Sequence, residues 1–513
     1  MNSIHRVRRA AAIAVAAIAA AANPVTRAAG ATGASLATAA TSLSVVAAAT
    51  VAWPAAAHAQ QPTAAERRAR ELVTLVIARD FTKLAAWLAE NLAPEALSFA
   101  PADEHARRLA SYNAGTHRLE LRGIRADGAT RAVAAIANPL AEEVDSFPVV
   151  VEAAPPHRIT RFGVRFGAGG ALTPAAFTTD AERVRELQRY VRKQAADGRF
   201  SGVVLVAREG KPLYHEVFGI ANRDTDTPNR LGTKFNLGSA NKNFTAIVIG
   251  QLVEEGKLSW DDPLSKFLPD FPDSASARRI QLKHLLSHSA GLGSYFNQRF
   301  VESSRARWRT VDDMMQLARP DSLRFEPGTR FAYSNTGYLV LGKVIEVATG
   351  RDYFDVVRER IYRRAGMTDT DAFELDRVNR NLAVGYIPEY GPDGVTWRNN
   401  VFEHVIKGGP AGGGYSTAPD LLRYTEALRA GKLVSRATLD LMRSPKPELG
   451  APIYGYGFAL FDGPQYWGHG GDFEGIDADV EQFGTSGVTM IILANTHMVN
   501  DPIKRKVRRM FLQ

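Results

Sequence analysis

The chain has 513 residues, of which 45% are hydrophobic and 23% are charged, and it contains no cysteine. Such a length is too great for one ordinary core, so we expect two folded domains. The formal net charge is +9, but four of the 63 basic residues lie among the first 59 residues, which contain no acid. The remaining excess is spread out, and the basic run at residues 504–509 is typical of a solvated helix face. We therefore expect no nucleic-acid partner.

The first 59 residues predict an export segment. They are rich in alanine, with arginines near the start and an apolar stretch at residues 42–53, and they end in Ala57-His58-Ala59, a typical cleavage pattern. The apolar runs are too short and interrupted for a stable membrane span, so we expect a periplasmic or extracellular protein. An earlier apolar run at residues 10–22 leaves the position of the hydrophobic segment open, and with it the translation start.

Residues 60–172 predict a small α+β domain. Thr63 and Glu66 form a capping-box pattern before an amphipathic helix, a second short helix follows at residues 84–88, and four strand-like runs come later. Helices followed by an antiparallel sheet resemble the small cone-shaped nuclear-transport-factor-like domains. The glycine-rich residues 167–170 and Pro174 predict a linker. We find no catalytic constellation in this domain and expect a docking or packing role.

Residues 173–513 predict a second α+β domain in which an antiparallel sheet is flanked by helices beside a mainly helical subdomain. A capping box at Thr179 opens a helix, which leads to a hairpin turning at residues 209–212. Residues 300–425 read as mostly helical and include a glycine-rich segment at 408–414. Further strands are predicted at residues 454–461, 466–469, 477–483 and 487–495. The sheet is therefore built from distant parts of the chain.

Ser239-x-x-Lys242 opens a predicted buried helix that ends at Gly256. The three-residue spacing puts the hydroxyl and the amine on the same side of the helix. A serine needs a base to become a nucleophile, and a lysine can be that base when burial lowers its pKa. The backbone amide of Ser239, at the start of the helix, can hold a developing oxyanion. The same pattern also describes an ordinary helix start with a surface lysine.

Tyr333-x-Asn335 precedes another predicted helix. A tyrosine near a lysine can transfer protons at the serine, and an asparagine amide can hold a substrate carbonyl. Taken alone, the motif is better explained by a buried tyrosine with a satisfied hydroxyl. The similar Tyr295-Phe296-Asn297 is discounted, because it lies just after the Ser-His-Ser-Ala-Gly-Leu loop.

His469-Gly470-Gly471-Asp472 lies on a predicted strand near the C-terminus. The two glycines let a ligand backbone approach the strand edge closely. His469 can hydrogen-bond a carboxylate or the serine, and the backbone amide of Asp472 can be a second oxyanion donor. The alternative is a bulge with a solvent-facing histidine.

The three motifs in this order resemble the serine β-lactamase and penicillin-binding-protein superfamily, over about residues 183–512. The likeness is greatest to the branch of class C β-lactamases, D-alanyl-D-alanine carboxypeptidases, D-aminopeptidases and esterases. The resemblance implies that Ser239 is acylated, that Lys242 and Tyr333 transfer protons, and that Asn335 binds a substrate amide. It places His469 where the family has its third-motif lysine and implies no cofactor.

The third motif departs from the Lys-Thr-Gly of class C β-lactamases. A histidine holds less positive charge near pH 7 than a lysine, and Asp472 is acidic where a small residue is expected, which disfavours anionic substrates. His284 and His288 have the spacing of a metal pair, but with no third ligand in the sequence we expect a structural role.

The motifs together predict an exported serine hydrolase that forms an acyl-enzyme with a small-molecule or peptide substrate. Expected substrates are a D-amino-acid peptide, a small ester or amide, or a β-lactam. The alternative is a catalytically silent relative that senses cell-wall peptides. The sequence does not distinguish hydrolysis from transfer of the acyl group to another acceptor. It also leaves the oligomeric state open.

Overall fold

The structure is a computed structural model that describes residues 61–114, 119–173, 176–319, 321–391, 394–461 and 465–512. The export segment predicted at residues 1–59 lies outside these residues, as does Pro174 of the predicted linker. Among the described residues, none of the helices combines the length and apolarity needed to cross a bilayer. The described chain forms two compact units that meet in sequence between Ala176 and Phe177.

The N-terminal unit packs helices against one antiparallel sheet. Its elements are α1 (Ala64–Ala78), α2 (Phe81–Asn91), α3 (Pro94–Phe99), α4 (Ala102–Ala114), β1 (Glu120–Ala126), β2 (Arg131–Asn138), β3 (Glu143–Val151) and β4 (Ile159–Phe162). The strands are ordered β1-β2-β3-β4, and the capping box at Thr63 is confirmed. Leu72 and Val76 of α1 are buried in one core with Ile136 and Phe147 of the sheet. Helices α3 and α4 were not predicted. The nuclear-transport-factor likeness stays a prediction.

The C-terminal unit contains twelve strands among its described residues. They are β5 (Gly202–Arg208), β6 (Lys211–Phe218), β7 (Ile220–Asn222), β8 (Thr227–Pro228), β9 (Phe235–Asn236), β10 (Tyr386–Gly391), β11 (Gly394–Asn399), β12 (Tyr415–Ser416), β13 (Ala459–Leu460), β14 (Tyr466–Phe473), β15 (Ile476–Phe483) and β16 (Val488–Ala494). Six of them form the main antiparallel sheet in the order β13-β14-β15-β16-β5-β6. The prediction that both ends of the domain build one sheet is confirmed.

The helices of this unit lie on both faces of the sheet and in the segment between its strands. They are α5 (Asp180–Ala196), α6 (Lys242–Glu254), α7 (Ser274–Arg279), α8 (Leu282–Leu286), α9 (Gln298–Glu302), α10 (Val311–Ala318), α11 (Asn335–Thr349), α12 (Tyr353–Val357), α13 (Ala418–Arg429), α14 (Arg436–Met442) and α15 (Asp501–Phe511). A π-helical turn, Arg358–Arg363, follows α12. This antiparallel sheet with flanking helices is the predicted α+β class.

Strand β5 shows how the sheet separates two cores. Val203 and Leu205 face the large core that contains α6, while Val204 and Val206 face a smaller core with α5 and α15. This alternation follows from the two-residue period of a strand, and a strand buried on both faces is apolar throughout. The edge of β14 that projects beyond the short β13 is left for the active-site segment.

Two predicted regions differ from the structure. The segment predicted as mostly helical contains the hairpin β10–β11, and the strand predicted at residues 454–461 is reduced to Ala459–Leu460. The hairpin has Pro388 and little alternation, so its strand character comes from pairing and from tertiary bonds such as the Tyr386 amide to the Asn495 carbonyl.

Helix α6 is held in the centre of the large core. Phe244, Ile247, Val248 and Leu252 are all buried, and the chain leaves the helix at Gly256 with a φ of +69°. A left-handed residue just beyond a helix is the usual place for glycine, because it has no Cβ to clash. Burial on all sides fixes the helix start, and therefore the positions of the residues at its N-terminus.

We expect Phe244→Ala to lower the free energy of unfolding of the C-terminal unit by about 3–5 kcal/mol, through a lost side chain and a cavity. Phe244 is 1% exposed and meets Tyr362 and Tyr424 edge to face, with ring centroids 5.4 and 4.9 Å away. Phe402→Ala is the control, because Phe402 is 81% exposed. Urea denaturation followed by near-ultraviolet circular dichroism measures the free energy of unfolding of each variant. An equal loss of stability in the two variants would contradict the buried position of α6.

Candidate active site

The side chains of Ser239 and Lys242 meet at the N-terminus of α6. Ser239 lies in the 3-10 turn Gly238–Asn241, and Lys242 is the first residue of α6. The Lys242 Nζ atom lies 3.0 Å from Ser239 Oγ, 2.9 Å from Asn335 Oδ1 and 2.5 Å from the Ala411 carbonyl oxygen. The lysine side chain is therefore fixed by three oxygen atoms from three separate segments.

The environment of Lys242 favours the neutral amine. The side chain is completely buried, and this desolvation lowers its pKa well below the usual value. A neutral amine has two N–H groups and one lone pair. The two N–H groups can be donated to Asn335 and Ala411, whose oxygens only accept, and the lone pair then faces the Ser239 hydroxyl. This is the arrangement of a base and its nucleophile.

The Tyr333 ring lies beside this amine. The Lys242 Nζ atom lies 4.9 Å from the centre of the Tyr333 ring. Burial raises the pKa of the Tyr333 phenol, and hydrogen bonding with Ser239 opposes this rise only in part. The phenol is therefore protonated near pH 7, which suits it to donate a proton to a leaving group rather than to act as the base.

Asn335 begins α11 and lines the cleft in front of Ser239. Its Oδ1 atom accepts from Lys242, and its Nδ2 atom donates to Ser294 Oγ at 3.2 Å. The amide orientation is thus set by protein partners on both sides. The predicted contact of Asn335 with a substrate amide stays a prediction, and Ser294 was not predicted.

Strand β14 lies against the Ser239 turn through Gly471. A Cβ atom on Gly471 would lie 2.0 Å from the Leu237 carbonyl oxygen and 2.6 Å from the Ser239 nitrogen. The glycine is therefore needed for the close approach of the Ser239 turn, and the predicted approach of a ligand backbone stays a prediction. This contact puts the edge of β14 directly beside the nucleophile.

The backbone amide of Asp472 is directed to the outer edge of β14. The Phe461 amide donates to the Tyr466 carbonyl, so Tyr466 presents its backbone groups to the outer edge of β14. In an antiparallel strand alternate residues present their backbone groups to the same edge, so Asp472 also faces outward, away from β15. The amides of Ser239 and Asp472 can then flank one oxygen atom.

His469 has different partners from the predicted ones. Its Nδ1 atom lies 2.5 Å from the Gly470 carbonyl oxygen, and its Nε2 atom lies 2.8 Å from the Tyr454 hydroxyl. A carbonyl only accepts, so Nδ1 carries the hydrogen and Nε2 of the neutral ring accepts from Tyr454. Burial, aided by Lys242, lowers the pKa of His469 to about 3. Both ring nitrogens are engaged, so this uncharged ring does not bond Ser239.

His284 and His288 have separate structural partners. The Gln281 amide donates to His284 Nδ1, and the Ser334 amide donates to His288 Nδ1. The His288 ring also packs on Tyr333, with centroids 4.2 Å apart. Across the described residues, no group of three His, Cys, Asp or Glu side chains could hold a metal ion.

An open cleft lies in front of Ser239. Several lining residues were not predicted, because they belong to none of the three motifs; these are Asn236, Ser294, Phe296, His404, Val405, Gly412, Gly413, Phe473 and Ile476. The glycine-rich segment supplies the Ala411 carbonyl, and a Cβ on Gly412 would lie 2.9 Å from the Gly238 carbonyl oxygen. The only sequence clue to this role was the density of glycines.

The fold and the Ser239–Lys242 site are those of a class of serine hydrolases. The family model described as Beta-lactamase matches residues 187–512, and the chain belongs to this family. It is 31% identical over 316 residues to penicillin-binding protein 4* of Bacillus subtilis, covering 58% of this chain and 68% of the relative. It is 29% identical over 334 residues to esterase EstB of Burkholderia gladioli, covering 57% and 84%.

A solved structure supports the same assignment. The penicillin-binding protein from Bacillus halodurans superposes with a TM-score of 0.56 and 28% sequence identity, covering 66% of this chain and 100% of that chain. The resemblance inferred from the three motifs is therefore confirmed at the level of family, fold and hydrolase class.

We expect Lys242→Ala and Lys242→Arg each to slow acylation of Ser239 by about 10²–10⁴-fold, the usual contribution of a general base. Arginine stays protonated and positively charged, so it cannot replace the neutral amine as a base. The second-order rate constant for labelling by a fluorophosphonate measures this step. In the wild type it should fall as the pH falls through the lowered pKa of Lys242, and rapid labelling of Lys242→Arg would contradict the assignment.

We expect Gly471→Ala to reduce the same rate constant strongly, because the new methyl group must displace the Ser239 turn. Gly470→Ala is the matched control: its Cβ would lie 3.0 Å from Asp479 Oδ1 and 3.5 Å from the Ala478 carbonyl oxygen, away from the serine. Equal loss in both variants, measured on folded protein, would show that the contact with the Ser239 turn is unimportant.

Proposed function

We propose that this chain hydrolyses an ester, amide or peptide carbonyl through an acyl-enzyme on Ser239. The observation that carries the proposal is the 3.0 Å contact between Ser239 Oγ and a completely buried lysine amine. A surface lysine after a helix start would be hydrated and protonated, and it would not serve as a base at neutral pH. The proposed reaction gives this buried amine a chemical role.

Acylation begins when the neutral Lys242 amine takes the Ser239 proton as the serine oxygen bonds to the substrate carbonyl carbon. The carbonyl oxygen becomes an oxyanion between the amides of Ser239 and Asp472. The bond to the leaving group then breaks, and that group takes a proton from Tyr333, which recovers one from the Lys242 ammonium. The products are the acyl-enzyme and the protonated leaving group.

Deacylation uses the same groups in the reverse sense. Water gives a proton to the Lys242–Tyr333 pair as its oxygen attacks the acyl carbon. The resulting intermediate expels the Ser239 oxygen, which takes the proton back. An alcohol or amine could replace water, so acyl transfer is a related outcome that product analysis separates from hydrolysis.

The substrate class is proposed from the relatives and the chemistry of the site. The esterase among the relatives supports small esters as substrates, and the three sequence motifs support D-amino-acid peptides and amides. A β-lactam is the least favoured, because the third motif holds a neutral histidine instead of a lysine. A non-catalytic peptide sensor is the rival function, and it predicts no covalent modification of Ser239.

We also propose that the protein is exported and that cleavage after Ala59 leaves Gln60 at the mature N-terminus. The Ala57-His58-Ala59 pattern in the alanine-rich leader supports this site. Mass spectrometry of the N-terminal peptide from a periplasmic or culture fraction tests it. Retention of residues 1–59 in a cytoplasmic fraction would contradict it.

We expect wild-type protein to gain the mass of one phosphonyl group on Ser239 after fluorophosphonate treatment, while Ser239→Ala gains none. In parallel, wild type and Ser239→Ala are assayed against small esters, D-amino-acid amides, a D-alanyl-D-alanine peptide and nitrocefin. Turnover of one or more classes should be lost in the variant. Absence of both labelling and turnover in folded wild type would favour the sensor.

A further inference from the structure

The described side chains that line the cleft do not supply the positive charge that an anionic substrate requires. Within the parts of the chain that the structure describes, the lining residues include no Lys or Arg, and Asp472 is the charged side chain among them. His404 also lines the cleft, but burial lowers its pKa, and it is uncharged at neutral pH. A substrate carboxylate would therefore find no cation on the cleft surface.

The third-motif histidine does not supply that cation. A protonated His469 would lose its acceptor site for the Tyr454 hydroxyl, and the buried ring would become charged without a carboxylate partner. Lys242 cannot supply it either, because its amine lies behind Ser239, bonded to Asn335 and Ala411. The site thus has no free positive charge for a substrate.

Asp472 is paired with a histidine that sequence reasoning did not select. His497 Nδ1 lies 2.9 Å from Asp472 Oδ1, and the same nitrogen lies 3.2 Å from the Phe473 carbonyl oxygen. Burial lowers the pKa of His497, but the charge and hydrogen bonding of Asp472 outweigh it, and the pKa rises to about 9. Glu474 and Asp477 act in the same direction. The pair is therefore ionic at neutral pH.

The two members of this pair differ in how they face the cleft. Asp472 lines it directly, one residue beyond the contact between Gly471 and the Ser239 turn, whereas His497 is not among the described lining residues. The nearer charge dominates the potential at short range, so a ligand in the cleft experiences a carboxylate partly offset by a more distant cation.

Aromatic and aliphatic side chains form the rest of the wall. Phe296 and Phe473 stack with ring centroids 5.3 Å apart and an interplanar angle of 28°. Tyr295, Val405 and Ile476 also line the cleft. Such a surface stabilises an apolar group by removing it from water, and it offers little to a charged one.

We propose that this cleft selects uncharged, apolar esters or amides, and that the Asp472–His497 ion pair sets the preference by placing a carboxylate beside the acyl-transfer site. This inference rests on the proposed function and narrows its substrate class. Substrates with a carboxylate, including penicillins and peptides ending in D-alanine, are then poor. Asp472 and His497 act on the preference in opposite directions.

The test compares two esters of phenylacetylglycine that differ by one charge. One releases phenol and the other releases m-hydroxybenzoate, so the acyl group is the same and only the second carries a carboxylate. The measured quantity is the ratio of kcat/KM for the neutral ester to kcat/KM for the anionic ester at neutral pH. We expect a ratio of at least about 10 in wild type, from repulsion at short range.

Two single variants should move this ratio in opposite directions. Asp472→Asn removes the carboxylate and keeps the backbone amide, so we expect the ratio to fall by about tenfold. His497→Gln removes the cation and leaves the carboxylate unshielded, so we expect the ratio to rise. Glu474→Gln is the matched control: it removes a neighbouring carboxylate outside the cleft lining and should change the ratio far less.

Fluorophosphonate labelling of each variant is measured in the same experiment, since this probe is uncharged. A wild-type ratio near one, no shift in either variant, or shifts in the same direction would overturn the selectivity proposal while labelling still supports the hydrolase. Loss of labelling in folded wild type would overturn the proposed function and this inference together. Should Asp472→Asn fail to fold, the rise in His497→Gln decides the outcome.

Discussion

The burial of one amine is the constraint on which the site depends. Lys242 is completely buried at the start of a helix that is itself enclosed by the core, and its Nζ atom is satisfied by oxygens of Ser239, Asn335 and Ala411. A charged amine in this place would need a carboxylate partner to offset its desolvation, and none of these three groups is one. Burial without a carboxylate partner therefore keeps the amine neutral, and a neutral amine has the lone pair needed to accept a proton.

The site also requires the backbone of the Ser239 turn to lie very close to two glycines. The Ser239 turn is in contact with Gly471 on one side and with Gly412 on the other, and a Cβ at either glycine would lie within 3 Å of turn atoms. The turn is therefore held between the edge of β14 and the glycine-rich segment. This packing explains how the Asp472 amide is brought beside the Lys242 amine and the Ser239 hydroxyl from a distant segment. Among the described residues, no group of side chains that could hold a metal ion takes part in this positioning.

The sequence predicted those parts of the site that depend on local spacing. Ser239 and Lys242 are one helical turn apart, so their contact follows once the helix forms, and Tyr333-x-Asn335 immediately precedes a helix in the same way. The sheet built from both ends of the domain also followed from periodicity. The two motifs depend on short-range helical spacing and the strands on local periodicity, and both can be predicted from the sequence.

Other parts could not be read from the sequence because they depend on packing between distant side chains. The Tyr454 hydroxyl that engages His469, and the pairing of His497 with Asp472, are decided by which strands lie side by side. The Ala411 carbonyl is a backbone group, which no residue type reveals. The hairpin β10–β11 was missed for a related reason, since its composition is poor for strands and its pairing is tertiary.

The ionisation state of Lys242 shows most directly whether Ser239 has a base. Titration of the wild-type protein, with the Lys242 Nζ resonance followed by nitrogen NMR and assigned by its absence in Lys242→Arg, measures that state without reference to any substrate. We expect the amine to be neutral in the folded protein near pH 7, with a pKa well below its ordinary value. A Lys242 ammonium that persists up to about pH 10 would contradict it, because the serine would then have no base.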